Sequence, residues 1–354
     1  MVKGIRTIEI CVIFARPTYY LEEQVQALKG LSDPDFRVLY VPDDEMDVFT
    51  LEKLGLDNRF RVLPSGKVSI PVKRNFCVKN ILPETEWIAF MDDDAYPPPS
   101  WLADLKSCLG QDAKIKILGG PNLPPVHVSW KEKAVGLVTE SYLGLGSKAK
   151  WHQPLKKVQE VSEVPSSNLV VHRSCFQKPE SAFDETFSIG EDVEWCQRMR
   201  KKFGESIWMF PQPYVYHHTR PLFRPAFLQF FRYGSYRMKI LTLQEGRELG
   251  DLFLLMPAFL ILVLPLAFFF WFARLFLIAY AAAMIIEGFW HRKTFLDHLL
   301  RLFTIPYVHV CYGLGLFARL IRLKPGDTHT YVRAETVSTE AALPSQRPSS
   351  SSAK

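Results

Sequence analysis

The sequence predicts an α/β domain followed by apolar membrane helices, and three observations carry that reading. Through about residue 240, short apolar runs alternate with longer mixed segments, as strands alternate with helices. Several of those runs end in acidic or glycine-rich loops. After Leu249 the composition changes sharply, and Leu252 to Trp290 is almost wholly apolar. A chain of 354 residues holds one large domain or two ordinary ones, with ample material for a core.

The first strand is Ile8–Phe14, and no small-residue cleavage site follows it, so it reads as buried structure and not as a signal peptide. A polar helix at about Tyr19–Lys29 is broken by Asp33 and Pro34. The next strand, Phe36–Val41, ends in Pro42, Asp43 and Asp44. Residues 70–82 read as a helix with Lys73, Arg74 and Asn75 near its start. The apolar run Trp87–Met91 fits one buried strand and ends in Asp92, Asp93 and Asp94, after which prolines stop regular structure. Three adjoining carboxylates repel one another, so they mark either a cation or a chemical task, or else an exposed acidic turn. Ile115–Leu118 is a further strand, running into a tight turn at Gly119, Gly120, Pro121 and Asn122.

Residues 126–160 are mixed and basic, and fit either a loop over a crevice or a plain surface excursion. A turn and strand follow at 165–171. From Glu191 the positions Val193, Cys196 and Met199 form a helical stripe that Gly204 ends, which places Glu191 and Asp192 in the first turn. There the helix dipole favours a carboxylate in its ionised form. Tyr214–Tyr216 is a last strand, closed by His217 and His218. In open α/β sheets ligands sit outside the carboxyl ends of strands, so these loops should meet at one crevice.

The apolar stretch is about twice the roughly 20 residues a bilayer needs and reads as a hairpin, Leu252–Phe272 and Leu275–Trp290, interrupted at Arg274. A third segment, Leu299–Leu323, carries Arg301, His309, Arg319 and Arg322 and either lies in the interface or crosses obliquely. Basic residues on both flanks of the hairpin (Arg232, Arg237, Lys239 and Arg247 before it, Arg292, Lys293 and Arg301 after it) put the preceding domain in the cytoplasm, at the inner membrane. The expected organisation is a catalytic domain at 1–240, a juxtamembrane linker at 241–251, a transmembrane hairpin at 252–290, a third membrane or interfacial helix at 299–323, and a polar tail at 324–354 that buries too little to order itself. The net charge of +6 gives no reason to expect nucleic acid as a partner. The six cysteines are scattered, with no CxxC spacing, which fits a reducing compartment and argues against a zinc site.

The order of these motifs resembles the family 2 glycosyltransferases of the GT-A fold over about residues 5–240, and the apolar C-terminal part is similar to their membrane-associated bacterial members. The resemblance implies a transferase acting on a nucleotide-diphosphate sugar, with a divalent cation (Mg or Mn) held by the D-x-D pair Asp92 and Asp94. Asp93 takes the variable middle place, where it points into the loop or meets the donor ribose. The family's inverting mechanism assigns the general base to Asp192, with Glu191 as support. Asp43 or Asp44 falls where the family recognises the nucleotide base, although the DDGS-like sequence usual there is replaced by VPDDEMD. Arg74 matches an arginine-asparagine pair that faces the donor, or simply solvates its helix. His217 stands where some relatives hold metal, with His218 as the competing choice.

Gln229 to Tyr233 resembles the Q-x-x-R-W of processive polysaccharide synthases, with Tyr in place of Trp. Arg232 then meets the diphosphate, or else anionic lipid. The few apolar segments favour single or few sugar additions over synthesis with export. A lipid-linked saccharide at the cytoplasmic membrane face is the expected acceptor, in polysaccharide or cell-envelope synthesis. Transfer to polyprenyl phosphate itself, or a non-catalytic nucleotide-sugar-binding scaffold, are the alternatives.

Overall fold

The computed structural model describes residues 7–112, 114–187, 189–243, 256–290 and 294–321. The chain opens with β1 (Ile8–Ile13), α1 (Tyr19–Lys29), β2 (Phe36–Val41), α2 (Val48–Leu54), β3 (Phe60–Val62), α3 (Ile70–Asn80) and β4 (Trp87–Asp92). Then come β5 (Ala95–Tyr96), α4 (Trp101–Leu109), β6 (Ile117–Gly119), β7 (Asn122–Leu123), α5 (Trp130–Thr139), α6 (Tyr142–Leu145), β8 (Gln159–Val161) and β9 (Leu169–His172). α7 (Glu191–Phe203), β10 (Ile207–Met209) and β11 (Val215–His217) complete the sheets. Among the described residues, α8 (Arg224–Leu243), α9 (Met256–Leu266), α10 (Trp271–Trp290) and α11 (Phe295–Leu320) follow.

Eight strands form one sheet in the order β3-β2-β1-β4-β9-β6-β10-β8. β1 to β4 are mutually parallel where they pair, and β9 lies antiparallel between β4 and β6. Successive side chains of a strand face opposite ways, and the sheet uses both faces. Ile8, Ile10 and Val12 meet Leu21, Val25 and Leu28 of α1 and Leu102 and Leu105 of α4. Cys11, Ile88 and Phe90 meet Cys77 of α3 and Trp195 and Met199 of α7. A small second sheet, β5-β11-β7, stands at the carboxyl edge of the large one.

The segment 126–160 differs from the loop or excursion expected of it. Its core is α5, capped by Ser129, whose hydroxyl accepts from the Glu132 backbone N–H. Ala134, Val135 and Val138 are buried against Leu222, Ala226 and Phe230 of the α8 region and Ile305, Val308 and Cys311 of α11. The partner surface lies about 90 to 180 residues downstream, which explains why local patterning did not announce a helix.

The first reversal of the apolar stretch falls at 267–270, ahead of Arg274. Arg274 sits in the first turn of α10 and donates from Nε and Nη2 to the carbonyls of Ala267 and Phe268, so it closes the turn. The tip is aromatic and open, with Phe268, Phe269 and Trp271 among the most exposed apolar side chains. α11 starts earlier than expected because Thr294 and Asp297 form a capping box. Among the described residues α11 alone is long and apolar enough to cross a membrane, and half of its apolar window is buried. The tail at 324–354 and most of the linker at 241–251 lie outside the described residues.

α8 and α11 touch backbone to backbone at Gly315, where a Cβ would stand 1.9 Å from the Phe231 carbonyl oxygen. Gly315→Ala must therefore push the two helices apart, and a loss of about 1–3 kcal/mol or more is expected in chemical unfolding.

Glu163 ties the 146–152 turn to α7. Its buried carboxylate receives Lys148 and, at 3.1 Å, the Gln197 amide. Burial alone would raise its pKa, but the charges of Lys148 and Arg237 and those hydrogen bonds hold it below the ordinary glutamate range. The stabilisation is thus complete above the unfolded-state value near ~4.3 and is lost as pH falls through the lower folded value. Glu163→Gln should cost about 3–5 kcal/mol near neutrality and flatten the acid limb of the stability profile, as read by urea unfolding across pH.

Candidate active site

β4 delivers Asp92 at its last residue, in register with Ile13 of β1. The turn that follows is held from behind by buried Gln24, whose amide donates to the carbonyls of Asp92 (2.7 Å) and Ala95 (2.6 Å). β5 then pairs antiparallel with β11, setting Ala95 opposite His217. The His218 backbone N–H donates to the Asp94 carbonyl at 3.0 Å. This pairing brings the His217 ring onto the acidic turn: Nε2 lies 3.0 Å from Asp94 Oδ1 and 3.9 Å from Asp92 Oδ2.

Asp92, Asp94 and His217 each offer a ligand atom, all within 4.8 Å of one another. Two hard carboxylate oxygens and one imidazole suit Mg or Mn, so the donor set fits the divalent cation expected from sequence. His218 does not compete for this position. Its ring lies between Glu132 (Nδ1–Oε1 2.6 Å) and Glu23 (Nε2–Oε2 2.8 Å), a separate cluster.

The electrostatics follow from crowding. Burial raises the pKa of Asp92, as does the Asp94 charge, while Arg74 and His217 oppose the rise. Burial and the charges of Asp94 and Asp92 push Asp93 up to about 7. Asp94 goes the other way: burial is outweighed by His217 and by Arg220, whose Nη2 is 3.2 Å from Asp94 Oδ2. His217 is raised in turn, because Asp94 and Asp92 outweigh its burial. Cationic partners are what this turn is built to receive.

Behind the turn, Arg74 is buried on α3 and joins three groups. It pairs with Glu191, donates to Ser166 Oγ at 2.6 Å, and lies 3.7 Å from Asp92 Oδ1. Its position is thus within the site, and the solvating role left open by the sequence is excluded. Glu191 is spent on Arg74, so it supports the site's frame. Asp192 accepts from the Ser166 backbone N–H (3.0 Å, Oδ2) and the Val193 N–H (2.8 Å, Oδ1) at the start of α7. Gly190 makes the preceding bend with φ 76°, a conformation glycine adopts freely.

Of the two acidic residues after β2, Asp43 is held by Lys73 at 2.5 Å, and Lys73 also bonds the Phe14 carbonyl. Asp44 is at the surface, 3.6 Å from Lys67. Arg232 is exposed on α8. Its neighbour Tyr233 keeps 43% of its surface open.

Sequence reasoning missed Arg220, His152 and Gln24. Arg220 follows His217 by three residues, and that spacing was its one available signal. His152 sits near enough for the His217 charge, after burial, to bring it down to about 4. It lies in the segment whose helices were not foreseen.

No protein-family profile matches the sequence, and none of the curated proteins is similar to it. Among solved structures the chain is similar to the mannosyltransferase PcManGT from Pyrobaculum calidifontis in complex with GDP-Man and Mn2+, with a TM-score of 0.52 at 11% identity over 90% of this chain and 88% of that one. It is less similar to S. aureus TarS 1-349 in complex with UDP-GlcNAc (TM-score 0.46, 14% identity, 69% of each chain). GalNAc-T7 with UDP, GalNAc and Mn2+ matches at TM-score 0.45 and 12% identity over 61% of this chain, which spans 44% of that protein. At such identities it is the fold that is shared: the α/β domain expected from the sequence has a parallel-rich sheet and the GT-A-type architecture.

Proposed function

We propose that the protein is a metal-dependent glycosyltransferase that moves a sugar, with inversion, from a nucleotide-diphosphate sugar to an acceptor hydroxyl. The observation that carries this is the Asp92–Asp94–His217 group, with Asp192 near enough at the start of α7 for its charge to act on Asp92. PcManGT, of the same fold, was solved with GDP-Man and Mn2+, which supports a nucleotide-diphosphate sugar as donor here.

In this reading Asp43 and Lys73 border the nucleotide end of the crevice, and Asp93 lies toward the ribose. Asp192 takes the proton of the acceptor hydroxyl as that oxygen bonds to the anomeric carbon. The carbon–oxygen bond to the diphosphate breaks, and its electron pair leaves with the diphosphate. Asp92, Asp94 and His217 would hold a divalent cation, which would supply Lewis-acid stabilisation of that departing charge. Arg220, half exposed beside Asp94, adds positive charge at the same place. Glu191 keeps Arg74 in position beneath Asp92.

The acceptor is a lipid-linked saccharide at the cytoplasmic face of the membrane, with α9 to α11 holding the domain there. The open aromatic tip at 268–272 and the apolar outer face of α11 support this placement. The test is a panel of UDP-, GDP- and dTDP-sugars offered to the purified chain with and without Mn2+. Metal-dependent cleavage of one donor is expected, and no cleavage of any would refute the proposal.

A further inference from the structure

One short stretch, from His217 to the start of α8, joins the crevice to the apolar helices. It is fastened to α5 along its length. Besides the His218–Glu132 contact, Thr219 Oγ1 donates to the Glu132 carbonyl at 2.9 Å and the Leu222 N–H donates to the Lys131 carbonyl at 3.0 Å. At its end Phe223 adopts φ 78°, a left-handed conformation that bulky side chains avoid. The surroundings impose it: the Phe223 carbonyl accepts from the Tyr307 hydroxyl of α11 (2.9 Å) and from the Phe227 N–H (2.8 Å).

The result is an aromatic ring held outward. Phe223 is 45% exposed and Trp130 54%, and the two meet edge to face at 6.2 Å. Lys131 Nζ lies 5.8 Å from one ring and 5.9 Å from the other, and exposed Arg224 follows directly. From Tyr307 the apolar surface continues at helical spacing along α11. Phe303 stacks on Tyr307, and Leu299 and Phe295 extend the stripe, all three exposed. Twelve residues of helix make this stripe about 18 Å long.

We propose that this platform docks an amphiphilic acceptor, a phosphate or diphosphate ester of a long apolar chain. Lys131 and Arg224 take the phosphate, and the chain lies along Trp130, Phe223 and the α11 stripe. The placement suits the chemistry. Only two residues separate Phe223 from Arg220, whose guanidinium is already on Asp94, so a head group on the platform lies close in the chain to the acidic turn. A water-soluble glycan would call for hydrogen-bonding side chains, whereas the stripe is apolar with positive charge at one end. The assignment of the ligand as acceptor rests on the glycosyl-transfer reading; the platform does not.

The test uses the full chain in phosphatidylcholine nanodiscs with a photoreactive polyprenyl phosphate. A parallel arm uses photoreactive phosphatidylglycerol. Polyprenyl phosphate should label the peptides containing Trp130 or Phe303, at least fivefold more than phosphatidylglycerol does. Lys131→Gln and Trp130→Ala should each lower that labelling at least fivefold with melting temperature unchanged, since both side chains are exposed. Equal labelling by phosphatidylglycerol would make the platform a general bilayer contact and overturn the proposal. Labelling confined to other peptides, or unaltered in both variants, would overturn it as well. Donor cleavage on the unsubstituted chain is read alongside; its absence would overturn the transferase reading while specific labelling still supports the platform.

Discussion

Asp192→Asn should lower sugar transfer by about 10²–10⁴-fold while donor and Mn2+ binding persist. The expectation rests on where the carboxylate is held. Both its oxygens are fixed by backbone N–H groups, from Ser166 and Val193, so the side chain has one orientation at the start of α7. An amide there keeps the shape but cannot accept a proton at working pH. It also turns an N–H toward one of those donors, which leaves a donor unpaired and should cost about 1–3 kcal/mol of stability. Rates, donor binding and melting are therefore measured on the same preparation. Turnover close to that of the unsubstituted chain would remove Asp192 from the role of base.

Asp94→Ala should abolish Mn2+ binding and lower turnover by about 10³-fold, corresponding to about 4 kcal/mol of lost leaving-group stabilisation. Asp94 is the most heavily used of the three carboxylates. One oxygen meets His217 and the other meets Arg220, so its loss releases a metal ligand's orientation as well as a ligand. Titration with Mn2+ followed by electron paramagnetic resonance separates the two effects from simple unfolding. Undiminished Mn2+ binding would exclude the triad as the cation site.

Much of the fold could be read in the sequence because its strands are short, apolar and buried on both faces. α1, β2 and the strand into Asp92 appear at the expected positions, and the acidic turn is where the apolar run ends. The candidate metal group was legible only in part. Asp92 and Asp94 are local in sequence, but choosing His217 over its neighbour needs the β5–β11 pairing, a contact across more than a hundred residues. Arg220 and Gln24 belong to the same class, being placed by tertiary contacts alone. α5 was missed for a similar reason, since what it packs against, α8 and α11, is remote in the chain. The reversal at 267–270 was missed because a charged residue looked like the break, whereas Arg274 closes the turn from inside the next helix.

The place of β9 in the large sheet bears on how the protein reaches its native state. β4 and β6 are not hydrogen-bonded to each other, and β9 joins them. Until it inserts, the sheet consists of two halves. The half built from β1 to β4 rests on near neighbours in sequence and can form early. The other half joins only when residues about 80 positions beyond β4 return to pair with it. Asp92 belongs to the first half, whereas Asp192 and His217 come from chain beyond β9. The crevice should accordingly be the last part of the domain to assemble during refolding, with amide protection of β1, β2 and β4 preceding any capacity to bind Mn2+.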